Sequence, residues 1–432
     1  MFEDGAGRRS ADPLALAGPV PAVDLSALAL LLAPPAMLGE FVPASPWQDV
    51  HRVPVALPRV QAGDLRSEFT ASVRELTEGA QTIGVLVSGG LDSLAVLVHA
   101  LRVAGDRRVV ALTTDLRDDV GGSAAAVVRG LLDELGLPAE LVVLDPARDR
   151  AEPVWIGAGP RLDALPEVNA AAAEVADSLG CAVLLSGDGA DELLGVPRFA
   201  ATEVARRRGI RGAARYVNDV AHSGPGAPGE VVALAAGLLP RQARARAYWA
   251  ANWPSWCDPV AAAVLAEPFR EAATEWARRW VDGTVAAHAS AGRTWAQADA
   301  RDALLPREVI PPAGRVAEAS PFLHSNFLAA ALALPIGDRY HPGLPSAYQR
   351  CKAQVVRLLP SGTVHALPQR KQYFTTALGQ QAEAGRKAPI CVEAGLIDPA
   401  ALAIEQDAAV LLVVAAIERW LAGALEHGAA LR

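Results

Sequence analysis

Val87-Ser88-Gly89-Gly90-Leu91-Asp92-Ser93 is the stretch that decides the fold of this chain. The apolar run Ile83-Gly84-Val85-Leu86-Val87 leads into it, and the apolar segment Leu94-Ala95-Val96-Leu97-Val98 leads out. That pattern predicts a buried strand, a tight glycine turn and a helix. The adjacent glycines let the backbone turn sharply and aim its N–H groups inward. The hydroxyls of Ser88 and Ser93 add donors, and the positive end of the helix faces the turn. Such a cup, running from Val87 to Ser93, suits an anion the size of pyrophosphate. The lysine of a GxxxxGK[ST] loop is missing, so the motif is a different phosphate cradle.

Downstream, strands and helices alternate. Strands are predicted at Arg108–Thr114, Glu140–Leu144 and Cys181–Leu185, each short, apolar and bounded by turn residues. Helices are predicted at Ala124–Leu135, ended by Gly136 and Pro138, and from Pro166 to Leu179, closed by Gly180. An amphipathic helix over Leu65–Leu76 precedes the first strand. Strands spaced by helices mean an α/β fold with a doubly wound parallel sheet, ligands lying beyond the carboxyl ends of its strands. Past Gly195 the character turns helical, with candidates from Phe199 to Ala214, from Val231 to Leu239 and from Ala408 to Leu425, and a flexible loop from Ser223 to Gly229. Six tryptophans (249, 253, 256, 276, 280 and 295) crowd this region as a helical core layer or the lining of a substrate pocket. Residues 1–70 are proline-rich and predicted irregular, with a helix from Leu25 to Leu32 and short strands around Val53 to Leu57.

A second glycine-bearing loop, Ser186-Gly187-Asp188-Gly189-Ala190-Asp191-Glu192, follows the last of these strands directly. Carboxylates crowded beside a phosphate cradle repel the ligand unless a cation lies between. Magnesium takes one or two carboxylates plus phosphate oxygens. Asp92 and Asp191 are therefore the expected ligands of one Mg²⁺ over a triphosphate.

Composition narrows the function. The chain has 432 residues, 51% of them hydrophobic, and a net charge of −8, which argues against a nucleic-acid-binding surface. Arginine clusters at 206–208 and at 241, 244 and 246 read as a solvated face or a dock for an acidic peptide. The four cysteines are isolated, with no CxxC and no zinc spacing. No basic signal-like start is present, and the longest apolar runs fall short of the roughly 20 residues a membrane span needs. A cytoplasmic protein without membrane or nucleic-acid partners is expected.

The first loop resembles the SGGxDS loop of the ATP pyrophosphatase (PP-loop) superfamily, of the adenine nucleotide alpha hydrolase-like fold. Together, SGGLDS and SGDGADELLG resemble the synthetase domain of the asparagine synthetase B family. The likeness extends to Ser320-Pro321-Phe322-Leu323, to Lys352 with Arg357, and to Arg370-Lys371-Gln372-Tyr373-Phe374. The resemblance implies nucleotide contacts at Val87, Ser88, Leu112, Ser186 and Gly187, magnesium on Asp92 and Asp191, and catalytic roles for Lys371 and Asp188. It also implies residues 71–432 as the synthetase domain, with residues 1–70 a remnant of, or substitute for, a glutaminase-like domain.

The departures are informative. Cysteine is absent from position 2, so glutamine hydrolysis is not expected. His324 replaces the family's usual aspartate, and Gln372-Tyr373 replaces the usual step before the phenylalanine. The β-lactam synthetase branch carries tyrosine where Asp188 stands. The arginine-rich stretch after Gly195, the segment Gly395 to Leu402 and Glu418-Arg419-Trp420-Leu421 are more similar to lasso peptide cyclases, although those usually keep a longer N-terminal domain. The expectation is an ATP- and Mg²⁺-dependent ligase that closes a macrolactam in a precursor peptide, acting beside a leader-binding protein and a leader protease. The alternatives are a small-molecule amide synthetase, a thiolation enzyme and a non-catalytic ATP-binding scaffold. Glu192 and Glu203 are both candidate bases toward an incoming amine.

Overall fold

The computed structural model describes residues 1–34, 45–53, 56–221, 226–304 and 313–431. Its centre is a five-stranded parallel sheet built from β1 (Thr82–Leu86), β2 (Arg108–Thr114), β3 (Glu140–Leu144), β4 (Cys181–Leu185) and β5 (Ala317–Ala319). The spatial order is β3-β2-β1-β4-β5. The chain thus winds outward from β1 in one direction, then returns to build the other half. The carboxyl ends of β1 and β4 meet where that order reverses, which is where open α/β sheets place their ligands.

Helices cover both faces. α1 (Leu65–Leu76), α2 (Leu91–Ala104) and α3 (Ala124–Leu135) pack on one, and α4 (Pro166–Ser178) on the other. The period-2 alternation of strands divides the side chains between them. Ile83, Val85, Val109, Ala111, Val183 and Leu185 join Phe69, Leu94 and Val128 in the first core. Val110, Leu112 and Leu184 meet the alanines at 170–173 and 176 of α4, whose small side chains let it lie close to the sheet. Strands buried on both faces are near-continuous apolar runs, so their bounds were legible. The fifth was not: Ala317–Ala319 is three residues long with a glutamate at its centre.

The N-terminal region carries more structure than expected. Phe2–Asp4 pairs antiparallel with Arg9–Ser10 and with Val50–Arg52, and Ala22–Val23 pairs parallel with Ala430–Leu431. The strand expected from Val53 to Leu57 lies earlier, at Val50–Arg52, and positions 54 and 55 fall outside the described residues. Val23, Leu28, Leu32 and Trp47 share a second core with Leu411, Val414, Ile417, Trp420 and Leu421 of the helix Ala408–Glu426. That 19-residue helix is long and apolar enough to cross a membrane by composition, but half of its most apolar window is buried inside the protein, as in a core helix.

The helical region also departs in detail. One helix runs Ala201–Val220 with a break at Gly209 (φ 71°, ψ 177°), and another runs Gly226–Ala236. Gly226 to Gly229, expected in a loop, are therefore helical, and positions 222–225 lie outside the described residues. Trp249 and Trp295 are buried in a core of their own, with Trp253 and Trp280 against it. Trp276 packs against the second core, and none of the six tryptophans lines the cavity described below.

Candidate active site

β1 delivers the chain into the first loop, where Val87 N–H donates to the Leu112 carbonyl at 2.8 Å. Gly89 then adopts φ +80°, a region that disfavours side chains. Ser88 N–H donates to Ser93 Oγ at 3.2 Å, folding the loop onto itself. α2 starts at Leu91 with Gly90 as its N-cap and no side-chain cap. Leu91 N–H meets only the Tyr348 hydroxyl, at 3.4 Å. A 14-residue helix thus directs its positive end at the loop with no side chain capping its first N–H groups and with Asp92 as the acid of its first turn.

The second loop packs directly against the first. A Cβ built on Gly187 would lie 2.9 Å from Ser93 N and 3.1 Å from Asp92 Cβ, so only glycine permits this approach. Ser186 N–H donates to Ala319 O at 2.9 Å, and Ser186 Oγ donates to Asp188 Oδ2 at 2.7 Å. Ser320 Oγ holds the Asp188 carbonyl at 2.6 Å. Asp188 itself stays exposed at the rim.

Where the loops meet, Lys352 Nζ lies 2.5 Å from Asp92 Oδ2 and 2.5 Å from Asp191 Oδ1. Lys371 Nζ reaches Asp191 Oδ2 at 3.0 Å. Two carboxylates from loops far apart in sequence therefore share one cationic centre. Burial opposes the charge on Asp191, yet Lys352 and Lys371 outweigh it and hold its pKa below the usual carboxylate value. Asp92 lies deeper, and desolvation drives its pKa up despite Lys352. Burial likewise works against Lys352, but Asp92 and Asp191 raise its pKa overall.

The donor set fits a magnesium ion. Asp92 Oδ1 is buried with no hydrogen-bond partner, leaving one carboxylate oxygen for a metal. No cluster of three or more His, Cys, Asp or Glu ligands occurs among the described residues, so a dedicated all-protein cage is lacking there. One or two carboxylates completed by phosphate oxygens is the arrangement magnesium ordinarily takes beside a nucleotide.

A cavity of about 550 Å³ opens beside this cluster. Val87, Ser88, Asp92, Ser93, Leu112, Ser186, Gly187, Asp188, Asp191 and Lys371 all line it. Gly89, Gly90 and Leu91 do not. The Leu91 side chain is buried in the sheet core, so this position offers only its backbone N–H, and Gly89 is covered by Gln372 and Val127. On the opposite wall, Arg161 bonds Asp163 at 2.9 Å and Glu318 at 3.2 Å, and Asn169 Nδ2 donates to both oxygens of Asp163 at 2.8 Å. Of the two candidate bases, only Glu192 lines the cavity; burial first, then Asp191 and Asp188, raise its pKa. Glu203 instead bonds Arg206 at 2.8 Å.

The segment carrying Lys371 is fixed by the loop after β2. Arg370 Nη2 donates to the buried Asp118 at 2.6 Å, Asp119 N–H to Tyr373 O at 2.9 Å, and Thr375 N–H to Asp119 Oδ1 at 2.9 Å. In the sequence Lys352 belongs to the family likeness, with no role attached to it. Its function as the bridge between Asp92 and Asp191 is a tertiary fact, and the only local signal was a lysine opening a short helix, Ala353–Leu358, that buries Val355 and Leu358.

Comparison with known families agrees with this geometry: residues 64–384 match the family model described as asparagine synthase. No curated protein matches the chain.

Proposed function

The chain belongs to the asparagine synthase family, and we propose that it is an ATP-dependent amide-bond synthetase closing a macrolactam in a lasso precursor peptide. Members of the family are carbon–nitrogen ligases that use ATP. One carboxylate oxygen of the substrate attacks the α-phosphorus, and the bond to the β-phosphate bridging oxygen breaks. Pyrophosphate departs toward the loop from Ser88 to Ser93. An amine then attacks the acyl carbon, AMP leaves, and the amine's proton passes to a base. Holding both partners in one cavity makes the second step effectively intramolecular.

The observation that carries this reading is the contact of the two glycine loops at Gly187 and Ser93, with Asp92 and Asp191 on one cationic centre. Magnesium held by those two carboxylates would neutralise charge on the phosphates and the departing pyrophosphate. Lys371 lines the same cavity, and in this reading it stabilises charge around the α-phosphate, an effect that grows in a site shielded from water. Asp188 and Glu192 line the cavity, and in this reading they orient the amine and accept its proton. Leu112 and Leu116 offer an apolar side to adenine. In the peptide reading the acyl donor is an Asp or Glu side chain and the amine is the peptide's own N-terminus, with a leader-binding protein and a leader protease as partners in the cytoplasm. A cavity of about 550 Å³ also lies within the range of ordinary small-ligand pockets, which favours a small-molecule amide synthetase as the second reading.

The test is pyrophosphate release with MgATP, comparing wild type with Asp92→Ala, given either leader-free precursor peptide from the gene neighbourhood or ammonia with small carboxylates. Peptide-dependent release with loss of one water from the peptide supports cyclisation. Turnover of small substrates alone supports the second reading. Equal release by wild type and Asp92→Ala refutes the site.

A further inference from the structure

Gln372 is the least satisfied side chain near the first loop. It is half-buried as a residue, yet both atoms of its amide are shielded from solvent and neither has a hydrogen-bond partner. An amide left in that state has lost its water and gained no partner in exchange, which destabilises the fold. Such groups are rare in folded proteins and call for a specific partner.

Its position is fixed rather than incidental. On either side, Arg370 is bonded to Asp118, and the backbone of Tyr373 and Thr375 is bonded to Asp119. These bonds place the amide against the turn of the phosphate cradle. A Cβ on Gly89 would lie 2.8 Å from Gln372 Oε1 and 2.9 Å from Val127 Cγ1. The amide therefore abuts the left-handed glycine immediately before the uncapped start of α2.

We infer that Gln372 is a pyrophosphate-binding residue, its amide turning from its place over Gly89 so that the N–H donates to a phosphate oxygen in the loop from Ser88 to Ser93. The inference rests on reading this loop as the seat of the ATP β- and γ-phosphates. The amide oxygen and nitrogen interchange by a simple rotation, so either end can face the loop. A neutral donor holds the leaving group without adding a third cation to Lys352 and Lys371, and so without making product release slower than the charges already dictate. Because the contact is to the pyrophosphate half, it discriminates between ligands: ATP and pyrophosphate feel it, and AMP does not.

The test is calorimetric binding of MgATP, magnesium pyrophosphate and AMP to wild type, Gln372→Ala and Gln372→Glu, with circular dichroism to confirm the fold. Gln372→Ala should weaken MgATP and pyrophosphate about tenfold or more, as loss of a hydrogen bond to a charged group does, and leave AMP unchanged. Gln372→Glu keeps the size and packing over Gly89 but sets an anion beside the phosphates, so its loss should be larger. If Gln372→Glu binds pyrophosphate like wild type, or if AMP weakens in parallel with pyrophosphate, the residue only packs and the inference is overturned. Wild type that binds AMP but neither MgATP nor pyrophosphate overturns the reading of the loop itself, and this inference with it.

Discussion

Replacing Lys352 by methionine tests the shared cationic centre most directly. The substitution keeps the side chain's length and apolar stem and removes the ammonium between Asp92 and Asp191. Side-chain exposure is 5% for Lys352, 20% for Asp92 and 47% for Asp191. Stripping one partner from a buried ion pair costs about 3–5 kcal/mol, because the remaining charge is left uncompensated. Asp191 keeps nearly half its side chain in solvent, where water screens it, and keeps Lys371 at 3.0 Å, so the lower end applies: about 3 kcal/mol. The assay is urea unfolding at pH 7, in EDTA and in excess Mg²⁺. The variant should lose about 3 kcal/mol in EDTA and recover most of it in magnesium, since a ligand at 100 times its Kd contributes about 2.7 kcal/mol. Wild type should respond less, because the ammonium already stands between the carboxylates. The pH dependence follows the same cluster. Asp191, held below its ordinary value, contributes stability that is present above that value and is lost as pH falls through the lowered one. Lys352, raised above its ordinary value, contributes stability that is lost as pH rises through the raised one. A variant within about 0.5 kcal/mol of wild type in EDTA, the range of a neutral surface change, would refute the shared centre.

Gly187→Ala sets a methyl group 2.9 Å from Ser93 N and should force the two loops apart. MgATP affinity should fall at least tenfold, about 1.4 kcal/mol, with the fold retained, as read by calorimetry and circular dichroism; unchanged affinity would show that the loops need not touch. His99 is buried between Thr70 and the Leu358 carbonyl, and burial lowers its pKa from 6.5 to about 4. Its neutral form contributes stability that is complete above pH 6.5 and is lost as pH falls toward 4, up to about 3 kcal/mol. His99→Gln should flatten urea stability across that window, and a slope identical to wild type would rule the residue out. Asp118→Asn removes the charge that holds Arg370 and should weaken MgATP binding several-fold through misplaced Lys371 and Gln372, read by calorimetry. Affinity equal to wild type would mean the segment is positioned by Asp119 alone.

The strands and their helices were legible because local chemistry and tertiary environment agree there. β2 and β4 are largely buried apolar runs set off by Asp115 and Gly180, and β3 keeps an apolar run although Val143 is exposed at the sheet edge. The loops were legible for the same reason, since Gly89 and Gly187 stand where backbone has to bend or approach backbone. What stayed hidden depends on contacts between distant segments. β5 has no strand-like pattern and exists by pairing with β4. The Leu91 side chain turns into the core because the start of α2 faces α1 and the sheet, a matter of helix phase that a loop motif does not encode. The helical start at Gly226 runs through Pro228, tolerated in the first turn of a helix but easily read as a breaker.

The late arrival of Lys352, Lys371 and β5 has a consequence for biosynthesis. A nascent polypeptide that has left the ribosome only as far as Leu304 holds β1 to β4 and both acidic loops, but neither ammonium nor the strand that shields the β4 edge. Domains generally take shape from the amino terminus as translation proceeds, so that fragment carries an open hydrogen-bonding border and two aspartates repelling each other. Prematurely terminated products should therefore be inert toward nucleotide and prone to clump.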